Sequence, residues 1–308
     1  MTYRIFIFFL IAFLGINSGC HDFSPLDDLD VPMHQSKLVV FAHLRASKDS
    51  VQGIYVGKTR NAPDTANGFV RRADSIFQNG MLSIYGSSGL DTVNATVELF
   101  KNNQLFATLT RDSSYQTNLN YYFLGTKLEA DGATYALRIS ATGFKTIESQ
   151  QVMPPLGALD SVKFIRKGWI YKDLNVYPEA YEFLYFLRDS IANPNYYYAT
   201  GRNQLGWHYE FFNNDPTINS NILSDRNFSG KSFIWRVFYQ NREKFGLRNV
   251  YFQLNSTTRD AYLFNQSSSL YFEAHNNKFA EPTTLYSNIK NGYGIFTLSA
   301  VSEFYLKF

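Results

Sequence analysis

The stretch Asn94-Ala-Thr-Val-Glu-Leu-Phe-Lys-Asn-Asn-Gln-Leu-Phe-Ala-Thr-Leu109 contains the clearest local structural signal in the chain. Apolar side chains alternate with polar ones from Ala95 to Leu99, and apolar residues return from Leu105 to Leu109. This period of two is typical of a strand that buries one face. Asn102-Asn103 lies between the two halves, and asparagine tolerates the positive φ that a tight hairpin turn requires. The stretch therefore predicts an antiparallel β-hairpin.

Similar patterns on both sides of the hairpin predict more strands. Between residues 36 and 152 we expect about seven, at 37–45, 51–58, the two arms of 94–109, 119–125, 134–142 and 145–152. Residues 59–92 are polar and rich in turn-forming residues, so they are predicted to form one long loop. Short strands at this number and spacing predict an immunoglobulin-like β-sandwich.

A proline pair within Met153-Pro154-Pro155-Leu156-Gly157 interrupts this pattern, because two prolines cannot continue a central strand. We therefore predict a sandwich domain at residues 36–155 and a second, β-rich domain at residues 156–308. The candidate strands of the second domain are 159–166, 181–188, 195–201, 207–212, 233–239, 248–255 and 294–300.

One segment of the second domain favours a helix. Ser256-Thr257-Thr258 supplies hydroxyl groups for an N-cap, and Asp260 places an acid in the first turn. Leu263, Leu270 and Ala274 follow at spacings that lie on one helical face. The sequence predicts a single helix near residues 257–275, with these three side chains buried.

The overall composition also favours a mostly β fold. Aromatic residues make up 17% of the chain, with 28 Phe and 22 Tyr, and both residues pack well on a pleated surface. An aromatic sugar-stacking surface is the alternative, but no pair or triplet of aromatics is spaced as a defined platform. The formal net charge of +3 is spread along the chain, which gives no nucleic-acid footprint.

The first nineteen residues are predicted to be an export signal. Arg4 precedes an apolar run of twelve residues, Ile5 to Ile16. A helix that spans a bilayer needs about 20 apolar residues. A shorter run after a basic start is typical of a signal peptide.

The predicted signal ends at Asn17-Ser18-Gly19-Cys20, which resembles the bacterial lipobox except at its first position, where Asn17 replaces the usual Leu. Cys20 is the one cysteine of the chain, so it has no disulfide partner within it. We predict that lipid is attached to Cys20 and anchors the protein to a membrane. A plain signal peptide with an incidental cysteine is the alternative.

The segment after the cysteine is acidic, with Asp22, Asp27, Asp28, Asp30 and one proline in its first ten residues. We predict that residues 20–35 form a tether. The acidic residues are similar to a surface-export signal of Bacteroidota lipoproteins, although Asp and Pro are also ordinary components of tethers.

Candidate chemical sites are few. The five histidines, His21, His34, His43, His208 and His275, have no second ligand at metal-binding spacing. His208, beside Trp207 and two residues before Glu210, is predicted to lie on a surface strand. The sequence contains neither a Gly-x-Ser-x-Gly elbow nor a phosphate-binding Gly-Lys-Ser/Thr loop.

The acidic residues give no catalytic pattern either. A glycosidase needs two acids that face each other across a cleft. The sequence shows no such pairing for the acids Glu179, Glu182, Asp189 and Glu210. Pairs formed by acids that are distant along the chain are left open. We therefore predict no catalytic residues, no metal or cofactor site, and no enzymatic activity.

The order of several short motifs resembles one known family. The motifs are Lys37-Leu38-Val39-Val40, Thr59-Arg60-Asn61-Ala62-Pro63, Tyr135-Ala136-Leu137-Arg138-Ile139, Met153-Pro154-Pro155, Leu159-Asp160-Ser161-Val162, Ser224-Asp225 to Gly230-Lys231, Phe279-Ala280-Glu281-Pro282, and Ser287 to Phe296. Together they resemble a Bacteroidota lipoprotein family catalogued as domain of unknown function 4249. The resemblance implies an outer-membrane lipoprotein, often encoded near TonB-dependent transporters, and it supplies no activity and no catalytic residues.

These observations lead to one expected function and two alternatives. The leading hypothesis is a non-enzymatic outer-membrane lipoprotein, anchored through Cys20, that assists a TonB-dependent receptor by binding cargo or docking on the transporter. A structural or adhesive surface lipoprotein is the second hypothesis, and a hydrolase with dispersed carboxylates is the third. The expected partners are the membrane and such a receptor, with no nucleic acid and no cofactor, and the ligand stays open.

Overall fold

The computed structural model describes residues 35–47, 52–59, 93–111, 121–172, 175–189, 195–203, 208–210, 212–213, 222–240, 250–276 and 283–307. Within these ranges the chain forms sixteen strands and one α-helix. They are β1 (Leu38–Ala46), β2 (Gln52–Lys58), β3 (Ala95–Lys101), β4 (Gln104–Arg111), β5 (Tyr121–Leu124), β6 (Thr134–Ala141), β7 (Ile147–Val152), β8 (Ala158–Lys172), β9 (Asn175–Arg188), β10 (Tyr196–Asn203), β11 (His208–Glu210), β12 (Phe212–Asn213), β13 (Leu223–Ser224), β14 (Ser232–Gln240), β15 (Val250–Thr257), α1 (Arg259–Asn276) and β16 (Tyr293–Leu306). The predicted mostly β fold is confirmed.

Several predicted features lie outside the described residues. They are the signal peptide of residues 1–19, the lipid-attachment residue Cys20, nearly all of the tether, and the long loop of residues 59–92 apart from Thr59.

The β-hairpin predicted at residues 94–109 is confirmed. β3 and β4 pair in antiparallel fashion, and the turn between them places Asn102 and Asn103 at φ of 48° and 66°. The turn is also fastened to the next strand. The backbone N–H of Asn102 donates to the Thr134 carbonyl at 2.8 Å, and the Thr134 N–H donates to Asn102 Oδ1 at 3.0 Å.

The strands form two sheets. The larger one has the order β11-β10-β15-β16-β1-β2-β5-β4-β3-β6-β7, with β13 also paired with β10, and the smaller one has the order β12-β14-β9-β8. At the centre of the larger sheet, β1 pairs with β16 in parallel from Val39 opposite Tyr293 to Ala46 opposite Ala300. The chain from Ser36 to Phe308 forms one compact unit. The larger sheet therefore continues across the boundary predicted at residue 155.

Seven strands, β1 to β7, lie between residues 36 and 152, as the sequence predicts. β4 joins two parts of the larger sheet, since Val97 opposes Leu109 on the β3 side and Thr110 opposes Phe123 on the β5 side. Side chains from both parts form one buried hydrophobic core, which is the packing of a β-sandwich. Its members include Leu44, Ile54, Leu99, Leu124, Tyr135, Ile139, Phe296 and Leu298. The immunoglobulin-like connectivity stays a prediction.

A second hydrophobic core lies between the smaller sheet and strands β10 and β15. The ring centroids of Phe183 and Phe252 are 4.8 Å apart, and Tyr185 meets Phe252 edge-on at 6.0 Å. β8 and β9 are longer than the predicted strands 159–166 and 181–188 and pair with each other as a hairpin, and this pairing shifts register at three places. Each shift marks a β-bulge or a similar irregularity in a strand that lies at the edge of its sheet.

The helix is confirmed, but its predicted buried face is wrong at Leu270; Leu263 is half-buried, and Ala274 is beyond the helical residues whose burial the structure describes. Thr258 caps it, because the Ala261 N–H reaches both the Thr258 carbonyl at 3.1 Å and its Oγ1 at 3.4 Å. Leu270 is 55% exposed, whereas Phe264 is fully buried. The buried side chains are Ala261, Phe264, Asn265 and Ser268. Phe264 determines this orientation because its ring packs edge-on against Phe41 of β1, with 6.3 Å between centroids.

Gly294 allows β16 to pair with β1. Its φ is +111°, and a Cβ at this position would lie 1.8 Å from the Val40 carbonyl oxygen. Because that neighbour is backbone, no side-chain movement relieves the clash. β16 occupies the middle of the larger sheet, between β15 and β1. The pairing of β16 with both of these strands therefore depends on Gly294.

We expect Gly294→Ala to lower the free energy of unfolding by more than about 2 kcal/mol, because it combines an unfavourable φ with a backbone clash. Gly125→Ala is the matched control, since a Cβ there has nothing within 4 Å. Urea denaturation of both variants checks this. Equal midpoints for the two variants would contradict the assigned role of Gly294.

Candidate functional site

The Ser287 to Phe296 motif begins in the segment between α1 and β16 and continues into β16, and the side chain of Asn288 holds its two ends together. Its Oδ1 accepts from the Phe296 N–H at 2.9 Å, and its Nδ2 donates to the Phe296 carbonyl at 2.8 Å. This reciprocal pair replaces a strand partner at the start of β16. The motif therefore has a structural role in positioning the segment.

Asp260, in the first turn of α1, connects this segment to the sandwich. Its carboxylate accepts hydrogen bonds from Gln151 Nε2 at 2.6 Å, Tyr286 OH at 2.8 Å and Asn288 Nδ2 at 2.8 Å. Burial, followed by the bond to Asp260, raises the pKa of Tyr286 to about 12. The sequence indicates Asp260 only as an acid that favours a helix N-terminus, and gives no sign of the three residues that meet it.

The same segment also covers part of β7, which is the last strand of the larger sheet. The Lys290 N–H donates to the Glu148 carbonyl at 2.9 Å, and Asn291 Nδ2 donates to the Thr146 carbonyl at 3.1 Å. Edge strands present unpaired backbone groups that invite pairing with other chains. Here two of those groups are occupied by the chain itself.

A groove of about 690 Å³ lies where this segment meets the outer face of β6 and β7. Its lining includes Phe100, Asn103, Arg138, Glu148, Gln150 and Lys290. This volume is within the range of about 300–1,000 Å³ that is usual for small-molecule sites. We name it the signature groove, because Lys290 and Asn288 of the motif form part of its wall.

The chemistry of the signature groove suits recognition of a polar ligand. The Arg138 guanidinium lies 4.9 Å from the Phe100 ring centroid, and its Nε is 3.1 Å from Glu148 Oε1. Both charged side chains are about half exposed, at 49% and 48%. The groove thus offers fixed hydrogen-bond donors and acceptors beside an aromatic ring, with amide groups from Asn103 and Gln150.

Among the histidines, His43 is half-buried on β1 and hydrogen-bonded to neighbouring strands. Its Nδ1 is 2.7 Å from Thr297 Oγ1, and its Nε2 is 2.9 Å from Tyr198 OH and 3.2 Å from Ser299 Oγ. Burial, with a smaller contribution from the Arg45 charge, lowers the pKa of His43 to about 3. The imidazole is therefore neutral at physiological pH and acts as a hydrogen-bonding element between strands.

A row of buried and half-buried polar side chains lies beyond His43 on the larger sheet. Thr200 Oγ1 donates to Gln253 Oε1 at 3.0 Å, and Gln253 Nε2 donates to Glu303 Oε1 at 2.7 Å. Arg202 Nε lies 3.1 Å from the same Glu303 oxygen. The sequence analysis missed this row, although β15 carries its signal: polar residues at alternate positions, such as Gln253 and Asn255, within a buried strand.

Asp189 and Asp225 anchor the loop that follows β13. Asp189 accepts from Asn195 Nδ2 at 3.0 Å, Tyr197 OH at 2.5 Å and the Gly230 N–H at 2.8 Å. Asp225 Oδ2 accepts from the Asn195 N–H at 2.7 Å, and burial raises the pKa of Asp225. These hydrogen bonds give the Ser224-Asp225 to Gly230-Lys231 motif a structural role, and we call this motif the latch.

The remaining candidate residues lie on three elements, β9, β11 and α1, where the structure describes them. Glu182 is buried between Arg166 and Arg236, with Nε–O distances of 2.6 and 3.2 Å. Glu179, His208, Glu210 and His275 lie in β9, β11 and α1, and Trp207, His21 and His34 lie outside the described residues. Within the described ranges, no group of three or more His, Cys, Asp or Glu side chains could hold a metal ion.

Comparison with protein families gives a match along almost the whole chain. A family model described as a domain of unknown function, DUF4249, covers residues 26–304. The chain belongs to this family. No curated protein matches the chain. The family match includes every strand of the described structure except the last residues of β16, so the signature groove and the latch both lie within the family domain.

The helix of the described structure has no membrane-spanning character. No helix among the described residues combines the length and the apolar content that crossing a bilayer demands.

We expect the stability of the protein to fall as pH decreases from 6.5 toward 4. The folded-state pKa of His43, about 3, lies below the unfolded value of 6.5, so within this window the unfolded chain binds the extra proton. The contribution of neutral His43 to the free energy of unfolding is complete above pH 6.5. Below that pH the contribution falls by up to about 1.4 kcal/mol per pH unit.

Urea denaturation at several pH values checks this. The curve for His43→Gln should be flatter than the wild-type curve between pH 4 and 6.5, because the variant lacks the titrating group. Parallel curves for the two proteins would contradict the neutral state of His43.

Proposed function

We propose that the chain is a non-enzymatic lipoprotein of the outer membrane, anchored through Cys20, that binds a ligand or partner for a TonB-dependent transporter. The observation that carries this proposal is the leader: an apolar run, two small residues and the one cysteine of the chain. A signal peptidase needs small residues before its cleavage site, and a cysteine at that site receives lipid. The resemblance to a Bacteroidota lipoprotein family supports the outer membrane as the destination.

The anchor has a clear energetic basis. Each buried methylene of an acyl chain contributes about 0.8 kcal/mol, and two or more chains hold a protein stably on a membrane. No membrane-spanning helix is then needed for attachment. The residues between Cys20 and Ser36 provide a tether between the lipid and the compact unit.

A binding role agrees with how the described polar groups are used. Asp189 and Asp225 are buried, His43 is half-buried, and all three are hydrogen-bonded between structural elements. In contrast, Arg138 and Glu148 of the signature groove are half exposed and held by the sandwich. A groove with fixed side chains loses little conformational freedom when a ligand binds, which favours affinity. We propose the signature groove as the place where cargo or a transporter segment is bound.

We expect Cys20→Ala to move the protein from the membrane fraction to the soluble fraction, because the acceptor of the lipid is lost. Ser24→Ala, within the predicted tether, is the matched control and should stay in the membrane fraction. Fractionation with an alkaline wash, together with mass spectrometry of the mature N-terminus, measures this. A Cys20→Ala protein that remains in the washed pellet, or an unmodified thiol in the native protein, would refute the anchor.

We expect purification in mild detergent to recover a TonB-dependent receptor with the native chain, and deletion of the gene to reduce uptake through that receptor. In the same two experiments, Arg138→Ala tests whether the signature groove binds the cargo or the transporter segment. Arg111→Ala is the control, since Arg111 is also exposed and lies outside the groove. If no envelope partner is recovered and deletion alters cell attachment while uptake stays normal, the structural or adhesive alternative replaces this proposal.

A further inference from the structure

The smaller sheet has one face that does not pack on the second hydrophobic core. In β9, Phe183, Tyr185 and Leu187 point to the core, so Glu182, Leu184 and Phe186 point the other way. The strand register places Ile234 beside Phe186, both Arg236 and Lys163 beside Leu184, and Arg166 beside Glu182. We call the six residues Lys163, Arg166, Leu184, Phe186, Ile234 and Arg236 the basic face.

The six side chains of the basic face are exposed or half-buried, whereas Glu182 and Phe238, which oppose each other further along the same side of the sheet, are buried. Ile234 is 55% exposed, and Leu184 and Phe186 are half-buried. The side chains of Arg166 and Arg236 are 58% and 60% exposed. An exposed isoleucine among half-buried apolar neighbours is typical of a surface that meets another body.

The charge of this face is positive. Arg166 and Arg236 share a single carboxylate, Glu182, which is only 2% exposed and binds them through separate oxygens. Lys163 is exposed and adds a third cation. The neighbouring Arg188 is balanced by Asp160, with 2.6 Å between Nη2 and Oδ1. The shared carboxylate therefore fixes two guanidinium groups in place and leaves an excess of positive charge.

We propose that the basic face binds an anionic membrane surface through phosphate-bearing lipid headgroups. Guanidinium groups match phosphate geometry and are less strongly hydrated than ammonium groups, so they suit headgroup contact. The apolar centre formed by Leu184, Phe186 and Ile234 adds contact with the boundary between headgroups and acyl chains. The combination of fixed cations around an apolar centre fits a lipid surface better than a purely polar polyanion.

This inference rests on the proposed function in one respect: the lipid at Cys20 brings the chain to the membrane. Binding through the basic face would then orient the compact unit on the bilayer, with the smaller sheet toward the lipid. Because the contact through the basic face is weak and reversible, it sets the orientation of the compact unit. The acyl chains on Cys20 keep the protein on the membrane.

The test uses the mature chain with Cys20→Ser, which removes the lipid and isolates the basic face. Sedimentation with sucrose-loaded vesicles compares pure phosphatidylcholine with vesicles that contain about one-third phosphatidylglycerol. We expect binding to the anionic vesicles to be at least about fivefold stronger and to weaken as salt is raised. The double variant Lys163→Gln/Arg236→Gln should lose most of this preference for anionic vesicles. In this variant Arg166 remains and still neutralises Glu182.

Two further variants make the test specific. Lys127→Gln/Lys145→Gln removes the same charge from exposed positions elsewhere on the chain and should bind like the parent protein. Ile234→Ser should weaken binding without changing its salt dependence. Unfolding midpoints of all variants show that they are folded.

Equal binding to both vesicle types, or equal losses in the two double variants, would overturn the proposal. Inorganic phosphate that displaces the protein better than chloride at the same ionic strength would also overturn it, by indicating a phosphate site. Binding to an acidic protein without binding to vesicles would have the same consequence. An unmodified Cys20 in the native protein with intact vesicle binding would refute the anchor and leave the basic face established.

Discussion

The parallel pairing of β1 with β16 is the interaction on which the rest of the structure depends. It joins eight positions near the start of the compact unit to eight near its end. Phe296 and Leu298 of β16 enter the first hydrophobic core, and Phe304 and Leu306 further along pack against the second. One strand therefore supports both cores. Because the paired segments are separated by about 250 residues, the cost of closing this loop must be met before either core is complete.

Local sequence patterns predicted much of the fold because they depend on neighbouring residues only. The Asn102-Asn103 hairpin, the strands around it and the existence of α1 follow from alternation, turn chemistry and capping. The prediction of which face of α1 is buried was wrong, because that face depends on contact with Phe41, a residue more than two hundred positions away along the chain. The continuity of the larger sheet across residue 155 was missed for the same reason, since the proline pair reports only a local interruption.

The polar interior illustrates a second limit of sequence analysis. His43, Thr200, Gln253 and Glu303 are unremarkable along the chain, yet the sheet brings them into one hydrogen-bonded row. Asp260 is similar, because its three partners come from β7 and from the segment before β16. Buried polar groups are costly when unpaired, so such rows favour one strand register over its alternatives. Two of the short motifs singled out in the sequence, Ser224-Asp225 to Gly230-Lys231 and Ser287 to Phe296, contain such hydrogen-bonded points.

The irregular pairing of β8 has a consequence for the proposed attachment of the protein to a membrane surface. β8 is long, lies at a sheet edge and carries exposed apolar residues such as Phe164 and Ile165. A straight strand of this kind, held in two dimensions beside many copies of itself, would be a template for intermolecular β-polymerisation. The three register shifts interrupt the regular spacing of its outward backbone groups. Under the proposed anchoring, these irregularities therefore disfavour the edge-to-edge pairing of neighbouring molecules.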